Sequence, residues 1–462
     1  MKLFNTLSMQ KEEFVPITEN EVKIYACGPT VYNYFHLGNA RPFIIFDVLR
    51  KYFEYKGYKV NFVQNFTDID DKMINRANEE NITVKELADR FISEYFVDAK
   101  GLSVSTATVH PRATEVVPEI IEMVKTLVDK GYAYEANGDV YFSTKKFADY
   151  GKLSHQPLED LEVGARISVS EMKNDPMDFA VWKSKKEGEP YWESPWGEGR
   201  PGWHIECSAM AGKYLGKTID IHCGGKDLAF PHHENEIAQS EAANGVKFSN
   251  YWVHNGYINI DNKKMSKSLN NFFTVRDLSQ KFSYEVIRFF MLSAHYRSPI
   301  NFSDELLTSA ETGLSRIVNC IENLEFLLKK AENGSLSTAD KELLDGYKKK
   351  FIASMEDDLN TAEAIGNIFE LVREINTKTK EETNKEYIEY SLSILKELTE
   401  VLSIAKISKN DVDTAKIEEL IEKRAQAKKD KSFALADEIR NELLGMGVII
   451  EDTREGVKWK LA

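Results

Sequence analysis

Residues 23–64 read KIYACGPTVYNYFHLGNARPFIIFDVLRKYFEYKGYKVNFVQ. The first five of them, residues 23–27, predict a short buried strand that ends at Gly28, and residues 60–64 predict a second strand. Between the two strands, residues 40–55 predict a helix. Strand, turn, helix and strand form a βαβ unit, whose right-handed crossover implies a parallel sheet. Ligands bind beyond the carboxyl ends of the strands in such sheets, so a site is expected at the turn that follows the first strand.

The rest of the chain predicts an α/β protein whose Rossmann-like parallel-sheet domain is interrupted by an inserted α+β subdomain. Strand and helix alternate again at residues 219–222 and 231–244. Beyond residue 303 the chain predicts a helical bundle and then a small mixed domain. The predicted segments are 1–112 and 201–245 (the two halves of the sheet domain, which carries the catalytic site), 113–200 (the inserted connective subdomain), 246–303 (a subdomain with a lysine–serine loop), 304–405 (the helical bundle) and 406–462 (the C-terminal module).

Apolar residues step by three and four through the start of the predicted bundle, which is typical of one buried helical stripe. These residues are Leu307, Ala310, Leu314, Ile317, Ile321, Leu324 and Leu328. Asn360 with Glu363 is typical of a capping box at the start of a later helix. A basic run follows near the C-terminus, and it consists of Lys423, Arg424, Lys428, Lys429 and Lys431.

Composition and charge narrow the classes of function. The net charge of −14 argues against indiscriminate nucleic-acid binding, although a local basic surface is compatible with it. No apolar run approaches the roughly 18 residues that a membrane span needs, and the first residues lack the apolar core of a secretory signal. A cytoplasmic protein is therefore expected. Its four cysteines would be core residues, metal ligands or reactive thiols instead of a disulfide framework.

Two short motifs predict a divided site for a triphosphate. At residues 36–39 (HLGN), His36 and Gly38 precede a helix, where an imidazole, a close backbone approach and a positive helix end suit phosphate. At residues 264–268 (KMSKS), a polar loop offers Lys267 to neutralise charge that develops on phosphate oxygens. The alternatives are a tight turn that merely needs glycine and a solvated surface loop.

A third motif, HCGGKD at residues 222–227, follows a predicted strand. Its paired glycines would let the backbone approach an adenosine, and Asp227 would accept hydrogen bonds from the ribose hydroxyls. A tight connection from strand to helix is the alternative interpretation.

Possible metal ligands are scattered through the sequence. His232 and Glu236 are four positions apart on a predicted helix, so their side chains share a face. Together with Cys27 and Cys207 they make an acceptable tetrahedral zinc set. However, the two cysteines are 180 positions apart, so the spacing is not that of a local zinc knuckle. Rival ligands, or simply packed neighbours, are His233, Glu234 and Cys223.

These motifs together resemble class I aminoacyl-tRNA synthetases, and most closely the cysteinyl-tRNA synthetases. The likeness covers nearly the whole chain and rests on residues 27–32 (CGPTVY) with 36–39, 264–268, 201–208 (PGWHIECS), 230–236 (FPHHENE), 295–298 (HYRS) and 451–453 (EDT). Asn39 stands where the first signature usually ends in histidine, and we expect weaker charge stabilisation there. Cys223 stands where glycine is expected, which leaves its role open.

The resemblance implies a ligase that forms cysteinyl-adenylate from ATP, with Mg²⁺, and L-cysteine, and then passes the cysteinyl group to tRNA(Cys). One zinc ion per chain would select the substrate thiolate, because zinc favours a thiolate over a hydroxyl. A monomer is implied, with anticodon contact by the C-terminal module. By the match, the catalytic residues are His36, Asn39, Lys264 and Lys267; the ATP-binding residues are Gly38, Gly225, Asp227, Ser266 and Lys267; the amino-acid pocket has Thr67, Trp203 and His222; and the zinc ligands are Cys27, Cys207, His232 and Glu236.

Two other functions are compatible with parts of the pattern. One is a ligase that activates cysteine identically but transfers it to a small aminosugar, which would have little need of the chain after Ser303. The other is a zinc-stabilised nucleotide- or RNA-binding protein without turnover. Because both the helical region and the basic C-terminal module are present, the sequence favours tRNA as the acceptor.

Overall fold

The computed structural model describes residues 1–155, 173–260, 263–264, 273–380, 384–406, 414–446, 448–453 and 456–461. The strands, in chain order, are β1 (Lys2–Asn5), β2 (Gln10–Glu13), β3 (Glu21–Ala26), β4 (Lys59–Gln64), β5 (Ala133–Ala136), β6 (Asp139–Phe142), β7 (Phe179–Ser184), β8 (Gly199–Pro201), β9 (Ile219–Gly225), β10 (Ser249–Asn255), β11 (Ile258–Ile260), β12 (Lys263–Lys264), β13 (Ile300–Phe302), β14 (Val448–Thr453) and β15 (Gly456–Leu461).

The helices are α1 (Leu37–Tyr55), α2 (Asp71–Glu80), α3 (Val84–Gly101), α4 (Val117–Asp129), α5 (Ile205–Leu215), α6 (Glu234–Asn244), α7 (Val275–Leu278), α8 (Tyr284–Leu292), α9 (Asp304–Leu328), α10 (Thr338–Glu356), α11 (Thr361–Lys378), α12 (Lys385–Leu402), α13 (Thr414–Lys429) and α14 (Phe433–Gly445). Among the residues that the structure describes, no helix is both long and apolar enough to cross a membrane.

The predicted βαβ unit is confirmed, and it forms half of the central sheet. Strands β3 and β4 are parallel neighbours joined through α1. The helix begins at Leu37, three residues earlier than predicted, because the His36 side chain accepts a hydrogen bond from the Asn39 backbone N–H and so caps it. Pro42 is therefore the sixth residue of this helix, where it cannot donate the hydrogen bond that other residues make to the carbonyl four positions earlier.

The central sheet has the order β10–β9–β3–β4, and all of its strands are parallel. The chain passes from β3 through α1 to β4 on one side of β3, whereas β9 pairs with β3 on the other side. The sheet therefore has a topological switch point between β3 and β9, and ligands of open α/β sheets bind at the carboxyl ends there. The register pairs Tyr25 with His222 and Ala26 with Cys223, so Cys27 emerges beside the end of β9.

An antiparallel sheet of order β5–β6–β7–β8, with α4, lies between the two halves of the parallel sheet in the sequence. This arrangement confirms the predicted α+β insertion. Its buried Val124, Leu127 and Trp182 share one apolar core with Ile205 of α5 and Ile237 of α6. The insertion is thus packed against the helices that carry the candidate site.

The second half of the parallel sheet differs from its prediction at one helix. Residues 231–244 were expected to be helical throughout, but Ala229–His233 forms a separate turn in which Phe230 has an extended backbone (φ −140°, ψ 135°). Helix α6 consequently begins at Glu234. The turn places His232 just before the helix instead of on it.

Inter-residue contacts divide the chain into two compact units. The first comprises residues 1–314, 348–368 and 401–404, and the second comprises residues 315–347, 369–400 and 405–462. The bounds of the six segments proposed from the sequence stay a prediction. In the first unit, the short strands β12, β11 and β13 form a separate three-stranded sheet after the parallel one.

The predicted apolar stripe of α9 is confirmed, since Leu307, Ile317 and Leu324 are fully buried. In the second unit, α13 and α14 pack with the antiparallel hairpin β14–β15. Their small core consists of Ile417, Leu420, Ile439, Leu443 and Val448.

Candidate metal centre and adenylation site

Four residues from three distant parts of the sequence meet at the carboxyl end of the parallel sheet. Cys27 directly follows β3, and Cys207 lies in the first turn of α5. His232 belongs to the turn Ala229–His233, and Glu236 lies in the first turn of α6. One ligand atom from each of the four lies within 4.8 Å of the other three.

The chemistry of this donor set fits a zinc ion. Two thiols, an imidazole and a carboxylate are all zinc ligands, and together they would supply four coordination positions. His232 Nε2 lies 3.1 Å from Glu236 Oε1, and Cys27 Sγ lies 3.7 Å from the same oxygen. The donor atoms therefore face one another in a space that a single ion could bridge.

A second, overlapping set meets the same distance condition. It consists of Cys27, His222, His233 and Glu236, and it shares a thiol and a carboxylate with the first set. Of the rivals named from the sequence, His233 thus lies near the centre, with Nε2 3.3 Å from Cys27 Sγ. Glu234 is engaged elsewhere, because its Oε2 accepts from the backbone N–H groups of Leu153 and Ser154 at 3.0 and 2.9 Å.

Cys223 lies in β9 and is fully buried. Among the described residues it belongs to neither ligand set. Burial in apolar surroundings raises the pKa of its thiol, as expected for a structural cysteine.

Histidines next to the first ligand set form close polar contacts with two of the candidate ligands. His222 Nε2 lies 2.8 Å from Glu236 Oε2, so each oxygen of this buried carboxylate faces a different imidazole. His204 Nδ1 lies 2.8 Å from His232 Nδ1, which leaves His232 Nε2 directed at the ligand set. Such outer contacts fix the orientation of metal ligands.

Proton sharing within the cluster shifts several pKa values. Burial lowers the pKa of His232, but hydrogen bonds with Cys207 and Glu236 outweigh it and raise the pKa to about 10. Burial raises the pKa of Glu236, yet attraction to His222 and hydrogen bonds from both imidazoles bring it to about 2. The hydrogen bond with Cys27 lowers the pKa of Cys207 to about 6 against the effect of burial. A metal ion must replace such shared protons, so binding here would depend on pH.

The three residues predicted for the amino-acid pocket differ in their surroundings. Thr67 is buried, and its hydroxyl donates to Glu206 Oε2 at 3.2 Å. The Trp203 side chain is 45% exposed, and its ring centroid lies 4.9 Å from that of His232. His222 is fully buried and stacked on Trp252 at 4.4 Å, so it contacts Glu236 from the core.

The first phosphate motif is docked on the chain that follows the lysine–serine loop. The Leu37 N–H donates to Phe273 O, and the Val275 N–H donates to Phe35 O, both at 3.1 Å. This places His36 beside Thr274, with Gly38 and Asn39 in the first turn of α1. The backbone of Lys264 pairs with Asn259 across β12 and β11. The predicted residues Ser266 and Lys267 lie outside the described residues, as does the side chain of Lys264.

The glycine pair at the end of β9 includes one residue, Gly224, that packing requires to be glycine. A Cβ on Gly224 would lie 2.5 Å from the buried His233 ring, whereas a Cβ on Gly225 would lie 2.4 Å from Asp227 Oδ1, the end of an exposed side chain that can turn away. Asp227 is exposed at the carboxyl end of the strand. The turn is therefore tight, and it also leaves the Asp227 carboxylate accessible at the edge where ligands bind.

Family models and a close relative place the chain among known proteins. Residues 13–312 match the model described as the class I (C) tRNA synthetase catalytic domain, residues 350–406 match the DALR domain, and residues 414–459 match the cysteinyl-tRNA ligase anticodon binding domain. A cysteine–tRNA ligase of Clostridioides difficile (strain 630) is 60% identical over 463 residues, with all of both chains covered. The chain belongs to the cysteinyl-tRNA synthetase family.

Solved structures of other synthetases share this fold at low sequence identity. Mycobacterium tuberculosis methionyl-tRNA synthetase with methionyl-adenylate matches with a TM-score of 0.62 and 16% identity, over 83% of this chain and 90% of that one. The LeuRS–tRNA–LeuAMS ternary complex of Agrobacterium radiobacter K84 matches with a TM-score of 0.61 and 11% identity, over 86% of both chains. These likenesses concern the fold of the synthetase alone.

Sequence reasoning missed two residues that support the site of this synthetase. His204 contacts His232, and His254 Nε2 lies 2.8 Å from His233 Nδ1. His204 stands within the PGWHIECS stretch, so that motif was a signal for it. His254 lies in β10 without any motif around it, and only the parallel register brings it to the site.

Proposed function

We propose that this synthetase attaches L-cysteine to tRNA(Cys) through a cysteinyl-adenylate. A carboxylate oxygen of cysteine attacks the α-phosphorus of ATP and releases pyrophosphate, and a hydroxyl of the terminal ribose of tRNA then displaces AMP. The observation that carries the proposal is the two-thiol, imidazole and carboxylate cluster at the switch point, within one domain of a class I synthetase. The relative that is 60% identical is itself a cysteine–tRNA ligase by name.

Selection of cysteine is assigned to the metal centre. Cys27, Cys207, His232 and Glu236 would hold one zinc ion, and bound zinc would supply a Lewis-acidic position for the substrate thiolate. The outer contacts from His204 and His222 would keep the ligands oriented. Serine offers a hydroxyl that zinc binds poorly, and a specific polar contact of this type discriminates by roughly 10⁴ or more. Thr67, Trp203 and His222 would border the bound amino acid.

Activation of ATP is assigned to the two halves of the divided site. His36, Gly38 and Asn39 at the N-terminus of α1 would bind phosphate oxygens, with Asn39 as a neutral donor. Lys264, Ser266 and Lys267 would bind the phosphates from the other side and neutralise the charge that develops on them, together with Mg²⁺. Gly225 and Asp227 would receive the adenosine.

The acceptor is proposed to be tRNA, held in part by the C-terminal module. Three cations of its basic run are engaged within the module, because Arg424 and Lys428 both bind the Asp452 carboxylate at 2.7–2.9 Å and Lys423 lies 2.6 Å from Glu419. The exposed Lys429 and Lys431 are therefore the stronger candidates for RNA contact. The match to an anticodon binding domain favours tRNA over a small aminosugar acceptor. Monomeric state and cytoplasmic location stay predictions.

The test is amino-acid-dependent ATP–pyrophosphate exchange across all twenty amino acids, with metal analysis of the same sample. Exchange should occur with cysteine, with about one zinc per chain, and serine should be slower by roughly 10⁴ or more. Absence of exchange with cysteine would contradict the proposed function. Equal exchange with serine would contradict zinc selection alone. Charging of tRNA(Cys) by the same preparation then tests the acceptor.

A further inference from the structure

One arginine of the first signature helix is buried in an unusual way. Arg41 lies in the second turn of α1 and has no exposed surface. Its Nη1 donates to Gly256 O at 2.9 Å and to Tyr257 O at 3.0 Å. Its Nη2 donates to Ser298 O at 2.7 Å and to His295 O at 3.2 Å. Among the described residues, the hydrogen-bond acceptors of this guanidinium are thus backbone carbonyls from two separate segments.

Only a planar fork can make this set of contacts. The two terminal nitrogens diverge, so one nitrogen serves Gly256 and Tyr257 while the other serves the second segment. A lysine ammonium is a single point and could not reach both pairs. Burial lowers the pKa of Arg41 to about 10, so the group still carries its charge at neutral pH.

Both segments lead directly into strands of the small three-stranded sheet. Gly256 and Tyr257 precede β11, and the segment with Ser298 precedes β13. Strands β11 and β13 are parallel neighbours, and β11 also pairs with β12. In that pairing Asn259 lies opposite Lys264. Arg41 therefore binds the residues just before β11 and β13, and the third strand of this sheet, β12, carries Lys264.

The two segments also touch each other without spare room. The Gly256 N–H donates to Tyr296 O at 2.8 Å. A Cβ on Gly256 would lie 2.7 Å from Arg297 O and from the Ser298 carbonyl. A backbone shift at either segment would therefore be passed to the other, and the guanidinium holds the pair to α1.

We propose that Arg41 is a positioning residue for adenylate formation, which sets the distance between His36 and Asn39 on α1 and the strand that carries Lys264. It touches no substrate and acts through the backbone of the small sheet. The proposal rests on the proposed function, since it assumes that both halves act on one ATP. Displacement of catalytic groups by about 1 Å can slow a reaction by roughly 100-fold.

The test compares Arg41→Lys with Arg288→Lys as a matched control. Arg288 is equally buried, and it donates to three backbone carbonyls, those of Leu102, Ser103 and Leu402, and to the Asp47 carboxylate of α1. These contacts join α1, about two turns beyond Asn39, to the ends of α3 and α12, and they involve neither phosphate motif. Both variants keep the charge and lose the fork, and Arg288→Lys also weakens the buried pair with Asp47, so its loss of thermal stability should be at least as large as that of Arg41→Lys. Zinc content, and kcat and KM for cysteine and for ATP in exchange, are measured for both.

Arg41→Lys should lower kcat by about tenfold or more while KM for cysteine and zinc content change less than about twofold. Arg288→Lys should leave kcat within about twofold of the unchanged protein. Equal kcat for the two variants, or a rise in KM for cysteine that accounts for the loss, would overturn the proposal.

Gly256→Ala tests the distance between α1 and the small sheet independently. The added Cβ would displace the segment before β11, while Arg41 itself is unchanged. This variant should show the same split between kcat and KM for cysteine, and an unchanged kcat would count against the proposal even if Arg41→Lys does not fold. The unchanged protein is assayed alongside. If the unchanged protein shows no cysteine-dependent exchange, the proposed function is wrong. If it shows exchange but the variants do not lower kcat selectively over KM for cysteine, only the proposed role of Arg41 is wrong.

Discussion

Glu236 shows how a buried carboxylate can be tolerated inside a sheet domain. Its two oxygens face His222 at 2.8 Å and His232 at 3.1 Å, and the residue has no exposed surface. A buried charge without partners costs several kcal/mol, whereas imidazoles on both sides offset much of that penalty. The same pairing aims one oxygen at the candidate ligand set and anchors the other in the core.

Separate substitutions of two buried cysteines distinguish a role in metal ligation from a role in packing. Cys207→Ser should lower the zinc content to well below one per chain, because a hydroxyl is a poor zinc ligand. Cys223→Ser is the matched control, since that thiol is equally buried but belongs to neither ligand set among the described residues. Metal analysis by mass spectrometry after gel filtration measures both. Zinc loss in the Cys223 variant, or full zinc in the Cys207 variant, would contradict the assignment.

Asp47 provides a prediction about pH. This buried carboxylate binds Arg288 and Lys51, each at 2.8 Å. Burial raises the pKa of Asp47, but attraction to Arg288 and Lys51 outweighs it, so its pKa lies below the ordinary value. Asp47→Asn leaves Arg288 buried without its anion and should lower the free energy of unfolding by about 3–5 kcal/mol at pH 7.

Because the folded pKa of Asp47 lies below the unfolded value of about 3.9, its stabilisation is present above about pH 4 and is lost as the pH falls through the folded pKa. The difference between the unchanged protein and Asp47→Asn should therefore be constant from about pH 5 to 8 and shrink below about pH 4. Urea denaturation across that range measures it. Asp129→Asn, which breaks an exposed pair with Lys125, should change stability little, and equal losses in the two variants would refute the argument.

Residue types and resemblance were enough to name the four candidate ligands, and the fold brings them within one cluster. The residue pattern alone left His233 as a rival of His232, and the structure brings both histidines to the cluster in two overlapping ligand sets. His254 could not be found from the sequence, since its contact with His233 depends on strand order. The assignment of Lys267 stays a prediction, because it lies outside the described residues.

The starts of two helices show where capping residues in the sequence predict a helix boundary and where they do not. The capping residues of α11 are where the sequence predicted them, with the Glu363 N–H donating to Asn360 Oδ1 at 3.2 Å. Here the return contact comes from the Asn360 amide, which donates to Glu363 Oε2. By contrast, the start of α1 was predicted too late, because histidine is not among the usual capping residues and His36 does cap it.

Two glycines provide a prediction about helix stability in which backbone conformation, and not side-chain contact, is the variable. Gly366 lies within α11, and Gly245 ends α6 with φ +70°; at both, an added Cβ would meet no atom within 4 Å. Gly366→Ala should raise the free energy of unfolding by about 0.5–1 kcal/mol, because alanine loses less entropy in a helix. Gly245→Ala should lower it by about 1 kcal/mol or more, because the left-handed conformation strains alanine.

Chemical denaturation of the two glycine variants beside the unchanged protein measures both shifts. Exchange activity should be unaltered for Gly366→Ala, which lies away from the candidate site. Shifts of the same sign at the two positions would show that side-chain space, and not backbone conformation, determines the outcome.

At the scale of the whole molecule, two compact units divide the chain, and the C-terminal residues 405–462 belong to the second. Deleting residues 406–462 should leave cysteine-dependent exchange within about twofold and lower kcat/KM for tRNA charging by about tenfold or more, which is at least about 1.4 kcal/mol of lost interaction. The expected cause is loss of the module that matches an anticodon binding domain.

Exchange and charging are assayed on the same truncated sample, after circular dichroism has shown that it is folded. Loss of exchange together with charging would mean that the module supports the catalytic domain. Undiminished charging would remove the module from tRNA recognition.

The sequence predicted a parallel sheet with an insertion, but it could not predict the strand order. Alternation of strand and helix does not say whether β9 joins β3 or β4, because both edges of a βαβ unit offer unpaired backbone groups. The switch point between β3 and β9, and hence the meeting of Cys27 with His222, follows only from that choice. Long-range pairing of this kind has no local signature.

That strand order also has a consequence for synthesis of the chain. Between Ala26, the last residue of β3, and Ile219, the first residue of β9, lie 192 residues. At about 5–20 residues per second, a ribosome needs roughly 10–40 s to supply the second neighbour of β3. Throughout that interval the emerging chain presents an apolar strand with one unpaired edge, which is a template for aggregation. The pace of translation across the insertion therefore sets how long each nascent molecule needs protection.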